Sequence, residues 1–283
     1  MGRGSEAMTR QGFPEIAPGS VWLVGAGPGD PGLLTLHAVH ALEQADVILH
    51  DALVAPEILG LCGRAARLEP VGKRAGWRSP RQLEINQHLI DLACENLRVV
   101  RLKGGDPLVF GRGGEEALAL AAAGVPFRIV PGITAGYGAL ALAGIPATHR
   151  GLAQSVAFVT GHNAGGGDAR GVDWAALAKG AHTLVLYMAL QRLPAIADAL
   201  LAAGRDPQDP VAILSDATTS RQRLLRTTLG EAAAVAAGVD RASATLIAIG
   251  PVVALSDLLM PWLEAAPAVL PPAEPDQLLA FQG

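Results

Sequence analysis

The sequence predicts an α/β protein made of two α/β domains. Half of its 283 residues are hydrophobic, only 4% are aromatic, and it contains 34 glycines and 20 prolines. A chain of this length can bury a large core, and its length suits two modest domains. Many glycines and prolines with few aromatics fit a fold with many tight turns between strands and helices.

Short apolar strands alternate with helical segments in both halves. In the first half we expect strands at 21–24, 47–50, 67–71, 98–102 and 127–130, and helices at 34–44, 80–95, 113–123 and 135–143. In the second half we expect strands at 155–160, 183–188, 211–214, 224–228 and 245–249, and helices at 174–179, 193–203, 229–237 and 253–263. This alternation predicts largely parallel sheets covered by helices on both faces.

The rhythm of strands and helices is interrupted between residues 145 and 151. We therefore expect an N-terminal domain at 20–146, a C-terminal domain at 152–264, and flexible tails at 1–19 and 265–283. Within the helix at 80–95, the spacing of Leu83, Gln87, Ile90 and Cys94 indicates one buried stripe.

Charge and cysteine content exclude several function classes. The net charge of −4 provides no overall basic field for a polyanion, and the few aromatics do not suit a module that stacks bases, so we expect no nucleic-acid partner. Cys62 and Cys94 lack the spacing of a zinc or iron–sulfur site, and we expect no metal. No apolar run of ~18 residues and no signal peptide is present, which predicts a cytoplasmic protein without a membrane partner.

The turn at 25–32, with the sequence GAGPGDPG, comes directly after a predicted strand. Its glycines let the backbone approach a ligand closely. Counted from Gly27, the turn matches the dinucleotide pattern G-x-G-x-x-G. However, Pro28 and Pro31 lack the N–H groups that a pyrophosphate needs, and Asp30 would repel phosphate. A ligand without phosphates, such as S-adenosylmethionine (SAM), fits better; a turn with no ligand and a dinucleotide-dependent oxidoreductase stay open as alternatives.

Further motifs follow other predicted strands. Gly104, Gly105 and Asp106 stand at the carboxyl end of a strand, where open α/β sheets bind ligands, although Gly-Gly-Asp-Pro is also ordinary turn chemistry. Arg112, between glycines, suits a carboxylate ligand. Glu116 lies in the first turn of a helix, and we expect it only to complement the helix dipole. The remaining motifs are PGITA at 131–135, THR at 148–150, TGH at 160–162 and the pair Tyr187–Met188.

The order of these motifs is more specific than any one of them. VGAGPGDPGLLTL, HDALV, GKR, RLKGGDPLVFGRGGEE, VPGITA, PATHR, TGH and YMA follow one another in one chain. From about residue 20 to residue 263 the chain closely resembles the tetrapyrrole methylase family, and in particular its members that methylate uroporphyrinogen III. The family usually has Phe where this chain has Leu108, so we expect the packing of the substrate to differ but not the reaction. No dehydrogenase or ferrochelatase segment precedes residue 20, and we expect the single-function form.

The resemblance implies two α/β domains with the active site in the cleft between them, usually in a homodimer. It implies that SAM methylates uroporphyrinogen III at C2 and C7, giving precorrin-2 and S-adenosylhomocysteine in sirohaem or cobalamin biosynthesis. A methylase of a later precorrin and a non-catalytic tetrapyrrole-binding protein are the alternatives.

The resemblance also implies roles for individual residues. We expect Asp51, Arg112 and Glu115 to be catalytic and Arg150, His162 and Tyr187 to bind the substrate. Asp51 and Glu115 are the ordinary candidates for the base that removes a proton from the methylated macrocycle. Because an arginine is hard to deprotonate, we expect Arg112 to hold substrate carboxylates together with Arg150. The expected SAM contacts are Pro28, Gly104, Gly105, Asp106, Thr134, Ala135, Met188, Ala217 and Thr245.

Overall fold

The structure is a computed structural model that describes residues 12–72, 82–161 and 171–264. The chain divides between Thr134 and Ala135 into two compact units, called the first and second unit below. Each unit contains a five-stranded sheet, as expected for two α/β domains. The limits proposed for the domains from the sequence stay a prediction.

The first unit has a fully parallel sheet. Its strands are β1 (Ser20–Gly25), β2 (Val47–His50), β3 (Arg67–Pro70), β4 (Arg98–Lys103) and β5 (Phe127–Val130), in the order β3-β2-β4-β1-β5. Its helices are α1 (Leu36–Gln44), α2 (Pro56–Leu59), α3 (Gln82–Cys94) and α4 (Gly113–Ala122). Alternate residues of β1 enter separate apolar clusters, Trp22 with α1 and Leu23 with α3, so both faces of the sheet are covered.

Helix α3 buries a different face from the one expected. Ile85, Leu89 and Leu92 are buried, whereas Leu83 is 78% exposed and Cys94 is exposed. The predicted stripe through Leu83, Gln87, Ile90 and Cys94 is therefore wrong. The helix carries two overlapping sets of apolar residues. Packing against β1, β4 and α4 determines which set is buried, and the periodicity of the helix alone does not predict that choice.

The second unit contains a mixed sheet. Its strands are β6 (Val156–Thr160), β7 (Thr183–Tyr187), β8 (Pro210–Ser215), β9 (Arg223–Thr228) and β10 (Thr245–Ile249), in the order β6-β7-β10-β8-β9. Only β6 and β7 pair in parallel, and the other pairs are antiparallel. The expectation of a largely parallel sheet is wrong here, because β8 and β9 form a hairpin without a helix and β10 inserts between β7 and β8.

Helices cover both faces of this second sheet. They are α5 (Ala135–Leu142), α6 (Trp174–Gly180), α7 (Leu193–Ala202), α8 (Ala232–Ala236) and α9 (Leu255–Glu264). Leu200 of α7 packs with Leu184 and Leu186 of β7 in one cluster, whereas Leu140 of α5 packs with Val185 in the other. In the described ranges, no helix has the length and apolarity to cross a bilayer.

Part of the predicted N-terminal tail, residues 12–19, lies in the described range. Ile16 is buried in the apolar cluster around α1, and its backbone N–H donates to Gln44 Oε1 at 2.9 Å. Residues 1–11 and the predicted C-terminal tail at 265–283 lie outside the described residues.

The assignment of the buried face of α3 predicts contrasting effects for two leucines of that helix. Leu89→Ala should lower the free energy of unfolding by about 2–5 kcal/mol, because it removes a fully buried side chain and leaves a cavity. Leu83→Ala, the matched control, should change it by less than about 0.5 kcal/mol. Urea unfolding of both variants measures this. Equal losses would show that the face is assigned wrongly.

Candidate active site

Loops from three neighbouring strands meet at the carboxyl edge of the first unit's sheet. They follow β1, β4 and β5, which lie side by side. Ala26 N donates to Lys103 O at 2.7 Å, and Gly27 and Gly105 exchange two backbone hydrogen bonds of 3.1 and 2.7 Å. Because this edge is where open α/β sheets bind ligands, it is the candidate active site.

Glycines let these three loops touch through their backbones. A Cβ on Gly25 would lie 2.5 Å from Gly132 Cα, and a Cβ on Gly132 would lie 2.2 Å from Gly105 O. Gly105 also has a φ of +67°, which other residues rarely adopt. Only glycine fits at these positions, so the loops form a rigid floor of main chain; we call Gly25, Gly105 and Gly132 the glycine contact.

The Asp106 carboxylate links the loops after β4 and β5 by hydrogen bonds. Its Oδ1 accepts from Leu108 N at 2.8 Å, and its Oδ2 accepts from Gly132 N at 3.0 Å. A carboxylate has further acceptor capacity, so this pairing leaves Asp106 able to accept from a ligand as well. Pro28 lies in the loop after β1. In the same loop, Asp30 Oδ1 accepts a hydrogen bond from Gly32 N at 2.7 Å.

Asp51 follows β2 at the same edge and pairs with a buried arginine. Arg101 Nη2 donates to Asp51 Oδ1, and Arg101 Nε donates to Glu116 Oε1 at 3.0 Å. Lys103 Nζ donates to the same Glu116 oxygen at 3.1 Å, and Gln82 Nε2 does so at 3.1 Å. We call Arg101, Lys103 and Glu116 the buried charge cluster, since each is at most 2% exposed.

The expectation for Glu116 is therefore wrong. It lies in the first turn of α4 as predicted, but its side chain is fully buried and pairs with two cations of β4. Burial lowers the pKa of Lys103, and the neighbouring Arg101 lowers it further, while Glu116 and Asp51 act in the opposite direction. The Lys103 ammonium thus depends on the negative charge of Glu116 to offset the cost of its burial.

Arg112 and Glu115 form a second, exposed pair at the start of α4. Arg112 has a φ of +60°, and its Nε and Nη2 donate to the two oxygens of Glu115 at 2.8 and 2.7 Å. This pairing lowers the pKa of Glu115 and raises that of Arg112. Both side chains are more than half exposed, so the pair contributes little to stability and Arg112 can exchange Glu115 for another carboxylate.

In the second unit, the predicted site residues lie at the ends of strands and at the start of a helix. Tyr187 ends β7, and its Oη accepts from Gly136 N at 2.6 Å, which holds the first turn of α5, beginning at Ala135. Thr134, the last residue of the first unit, directly precedes that helix. Met188 has a φ of +51° and is 49% exposed, so it is not a core residue.

The loop after β8 brings two more predicted residues close together. Ala217 follows Asp216, whose N–H donates to Ala244 O at 2.8 Å, next to Thr245 at the start of β10. Arg150 is exposed, and no carboxylate pairs with it among the described residues. His162, and Lys73 and Arg74 of the GKR motif, lie outside the described residues. In the described ranges, no group of three or more His, Cys, Asp or Glu side chains could hold a metal ion.

Comparison with known proteins identifies the family. The profile described as Tetrapyrrole (Corrin/Porphyrin) Methylases matches residues 20–233. The chain belongs to the tetrapyrrole methylase family. It is 52% identical over 254 residues to the uroporphyrinogen-III C-methyltransferase of a Sinorhizobium species, covering 90% of each chain.

Two other relatives extend the comparison. The chain is 50% identical over 255 residues to the siroheme synthase of Pseudomonas fluorescens, covering 90% of this chain but 54% of that one, so it spans about half the length of this relative. The uroporphyrin-III C-methyl transferase of Thermus thermophilus, solved with S-adenyl homocysteine, is 42% identical, with a TM-score of 0.72. That match covers 83% of this chain and 99% of the Thermus chain.

The buried charge cluster is the part of the candidate site that reasoning from the sequence missed. The signal was present in β4, whose sequence RVVRLK places Arg101 and Lys103 two residues apart beside the buried Val99, Val100 and Leu102. Residues at i and i+2 of a strand share one face, so two cations on one face of a central strand require an acidic partner from a covering helix. Glu116 is that partner.

The glycine contact predicts opposite effects for two glycine substitutions. Gly132→Ala should lower the free energy of unfolding by about 1–3 kcal/mol, because its Cβ would overlap Gly105 O and displace the loops. In Gly114→Ala, the control in α4, the new Cβ meets nothing within 4 Å, and a stabilisation of about 0.5–1 kcal/mol is expected. Thermal unfolding distinguishes the two. If Gly132→Ala is as stable as wild type, the loops do not touch at this position.

Proposed function

We propose that this chain is a SAM-dependent uroporphyrinogen-III C-methyltransferase that methylates its substrate at C2 and C7 to give precorrin-2. The observation that carries the proposal is the combination of the glycine contact with the paired Asp51 at one edge of the first sheet. A high identity to a curated enzyme of this activity over nine-tenths of both chains supports it.

The residues at the carboxyl edge of the first sheet fit SAM better than a phosphate ligand. The loop after β1 contains two prolines without N–H groups, and the carboxylates of Asp30 and Asp106 stand in these loops. Such acceptors suit the hydroxyl, amino and sulfonium groups of SAM and oppose a pyrophosphate. The residues we propose to hold SAM are Pro28, Gly104, Gly105, Asp106, Thr134, Ala135, Met188, Ala217 and Thr245. When bound, SAM supplies an electrophilic methyl group.

The chain's own residues act mainly by holding the substrate and accepting a proton. Uroporphyrinogen III carries several carboxylates, and we propose that Arg112 and Arg150 bind them through guanidinium forks. Tyr187 and His162 complete the proposed substrate contacts. Fixed positions of two reactants contribute a large part of the rate of such a transfer.

Asp51 is the base that we propose for removing the proton from the methylated macrocycle. Its carboxylate is partly exposed, as a base that reaches substrate must be. Glu115, whose pKa is lowered by its hydrogen bonds to Arg112, is the second candidate. We further propose that the enzyme works as a homodimer in the cytoplasm, in sirohaem or cobalamin biosynthesis.

Methyl transfer to uroporphyrinogen III tests this function directly. The purified chain, incubated anaerobically with SAM and enzymatically prepared uroporphyrinogen III, should produce S-adenosylhomocysteine and a dipyrrocorphin absorbance. Mass spectrometry should find two added methyl groups. An enzyme acting on a later precorrin would leave uroporphyrinogen III unchanged. A rise in melting temperature with NAD(P), without one with S-adenosylhomocysteine, would instead support the dinucleotide alternative.

Replacing Arg112 separates a binding role from a role in proton transfer. In Arg112→Lys we expect the KM for uroporphyrinogen III to rise by about tenfold while kcat stays within about threefold, since an ammonium cannot form the two-pronged bond. Arg67→Lys is the matched control, because Arg67 is equally exposed and also pairs with a glutamate. Normal substrate binding with complete loss of turnover in Arg112→Lys would contradict the binding role.

A further inference from the structure

Arg101 connects the buried charge cluster of the first unit to Asp51 by hydrogen bonds. All three nitrogens of its guanidinium have acceptors: Nε donates to Glu116 and Nη2 to Asp51. Nη1 approaches the carbonyls of Leu49 and Leu102 at 3.5 and 3.3 Å. A planar group held on several sides is fixed in both position and orientation. The Asp51 oxygen that it bonds is fixed with it.

Stability alone does not explain such a cluster. Taking cations and carboxylates out of water is expensive, and apolar side chains of similar volume are often as stabilising as a buried ion pair. Here both cations project from β4 into one small region, and Glu116 compensates them at full burial. The hydrogen bond from Arg101 to Asp51 extends from this buried cluster toward the surface, since the Asp51 side chain is 29% exposed.

A second arginine–aspartate pair between the same two strands provides an internal comparison. Asp46 precedes β2, and Arg98 begins β4. Arg98 Nε and Nη2 donate to the two oxygens of Asp46 at 3.1 and 2.7 Å. Both of these side chains are at least one-third exposed, and the pair lies at the amino edge of the sheet, away from the glycine contact. The same two strands thus carry one exposed pair at the amino edge and one pair anchored in the core at the carboxyl edge.

We propose that Arg101, held in turn by Glu116, is a positioning residue that fixes the Asp51 carboxylate for proton removal. Asp51 Oδ1 is bonded to Arg101, and the carboxylate still reaches the surface. Glu116 extends the effect, because it also anchors the first turn of α4, where Glu115 pairs with Arg112. The inference rests on the proposed function, since Asp51 has a reaction to serve only if the chain methylates a tetrapyrrole.

Arg101→Lys tests this role with its charge preserved. A lysine lacks the planar fork of separate nitrogens that bonds Glu116 and Asp51 in fixed directions, so Asp51 should lose its fixed position. We expect kcat for methyl transfer to fall by about 10- to 100-fold, because a misplacement of about 1 Å has effects of this size. The KM values for SAM and uroporphyrinogen III, and the affinity for S-adenosylhomocysteine measured by calorimetry, should stay within about threefold. Arg98→Lys, the matched control, should keep kcat within about twofold.

A double-mutant cycle distinguishes action through Asp51 from general loosening of the fold. Asp51→Asn should lower kcat by about 10²- to 10⁴-fold if Asp51 is the base. If Arg101 acts through Asp51, adding Arg101→Lys to Asp51→Asn should lower kcat by no more than about twofold further. Effects that multiply in the double variant would overturn the proposal.

Glu116→Gln provides a second route if Arg101→Lys folds poorly. Glutamine keeps the shape and one acceptor oxygen, and we expect a smaller fall in kcat with unchanged KM values.

If wild type transfers methyl groups and Arg101→Lys keeps the kcat of Arg98→Lys, the positioning role is wrong and the proposed function stands. If wild type transfers no methyl group to uroporphyrinogen III, the proposed function fails and the inference fails with it. If Arg101→Lys and Glu116→Gln both unfold, the cluster is purely structural and the proposal is wrong.

Discussion

Direct contact between the backbones at Gly25, Gly105 and Gly132 is the constraint on which the candidate site of the first unit depends. Any side chain at Gly25 or Gly132 would overlap main-chain atoms, so the three loops reach their positions only with glycine there. The two hydrogen bonds between Gly27 and Gly105 and the double acceptance by Asp106 follow from this contact. A ligand at this edge therefore meets preorganised main chain rather than mobile side chains.

Local patterns in the sequence predicted much of the first unit and its glycine-rich loops. Each of its strands is a short stretch of sequence that ends at a turn or loop. The alternation of these strands with helices predicts a parallel sheet covered by helices. The same alternation did not report the directions of β8, β9 and β10, because strand direction depends on which strands pair across the sheet. The buried face of α3 was missed for a similar reason, since it depends on what the helix packs against.

The buried charge cluster shows most clearly what local rules leave out. An acid in the first turn of a helix is sufficiently explained by the helix dipole, and that rule predicted no further role for Glu116. The two cationic partners of Glu116 lie 13 and 15 residues earlier in the chain, on another element. The two buried cations of one central strand, Arg101 and Lys103, are the observation that needs explanation, because an unpaired buried cation is far more costly than an unsatisfied helix end.

Arg112 and Arg101 differ in how they are held, and this difference matches the role that we propose for each. Arg112 forms an exposed pair with Glu115 on a glycine-rich turn, so it can leave one carboxylate for another as a substrate with several carboxylates binds. Arg101 is buried with all its nitrogens engaged and is itself held by Glu116, so it holds the Asp51 carboxylate in one place. Recognition of a large anionic ligand tolerates exchange of partners, whereas proton removal from a defined carbon requires a fixed base. Because Glu115 and Glu116 are adjacent on α4, one turn of helix connects the exchangeable pair to the fixed one.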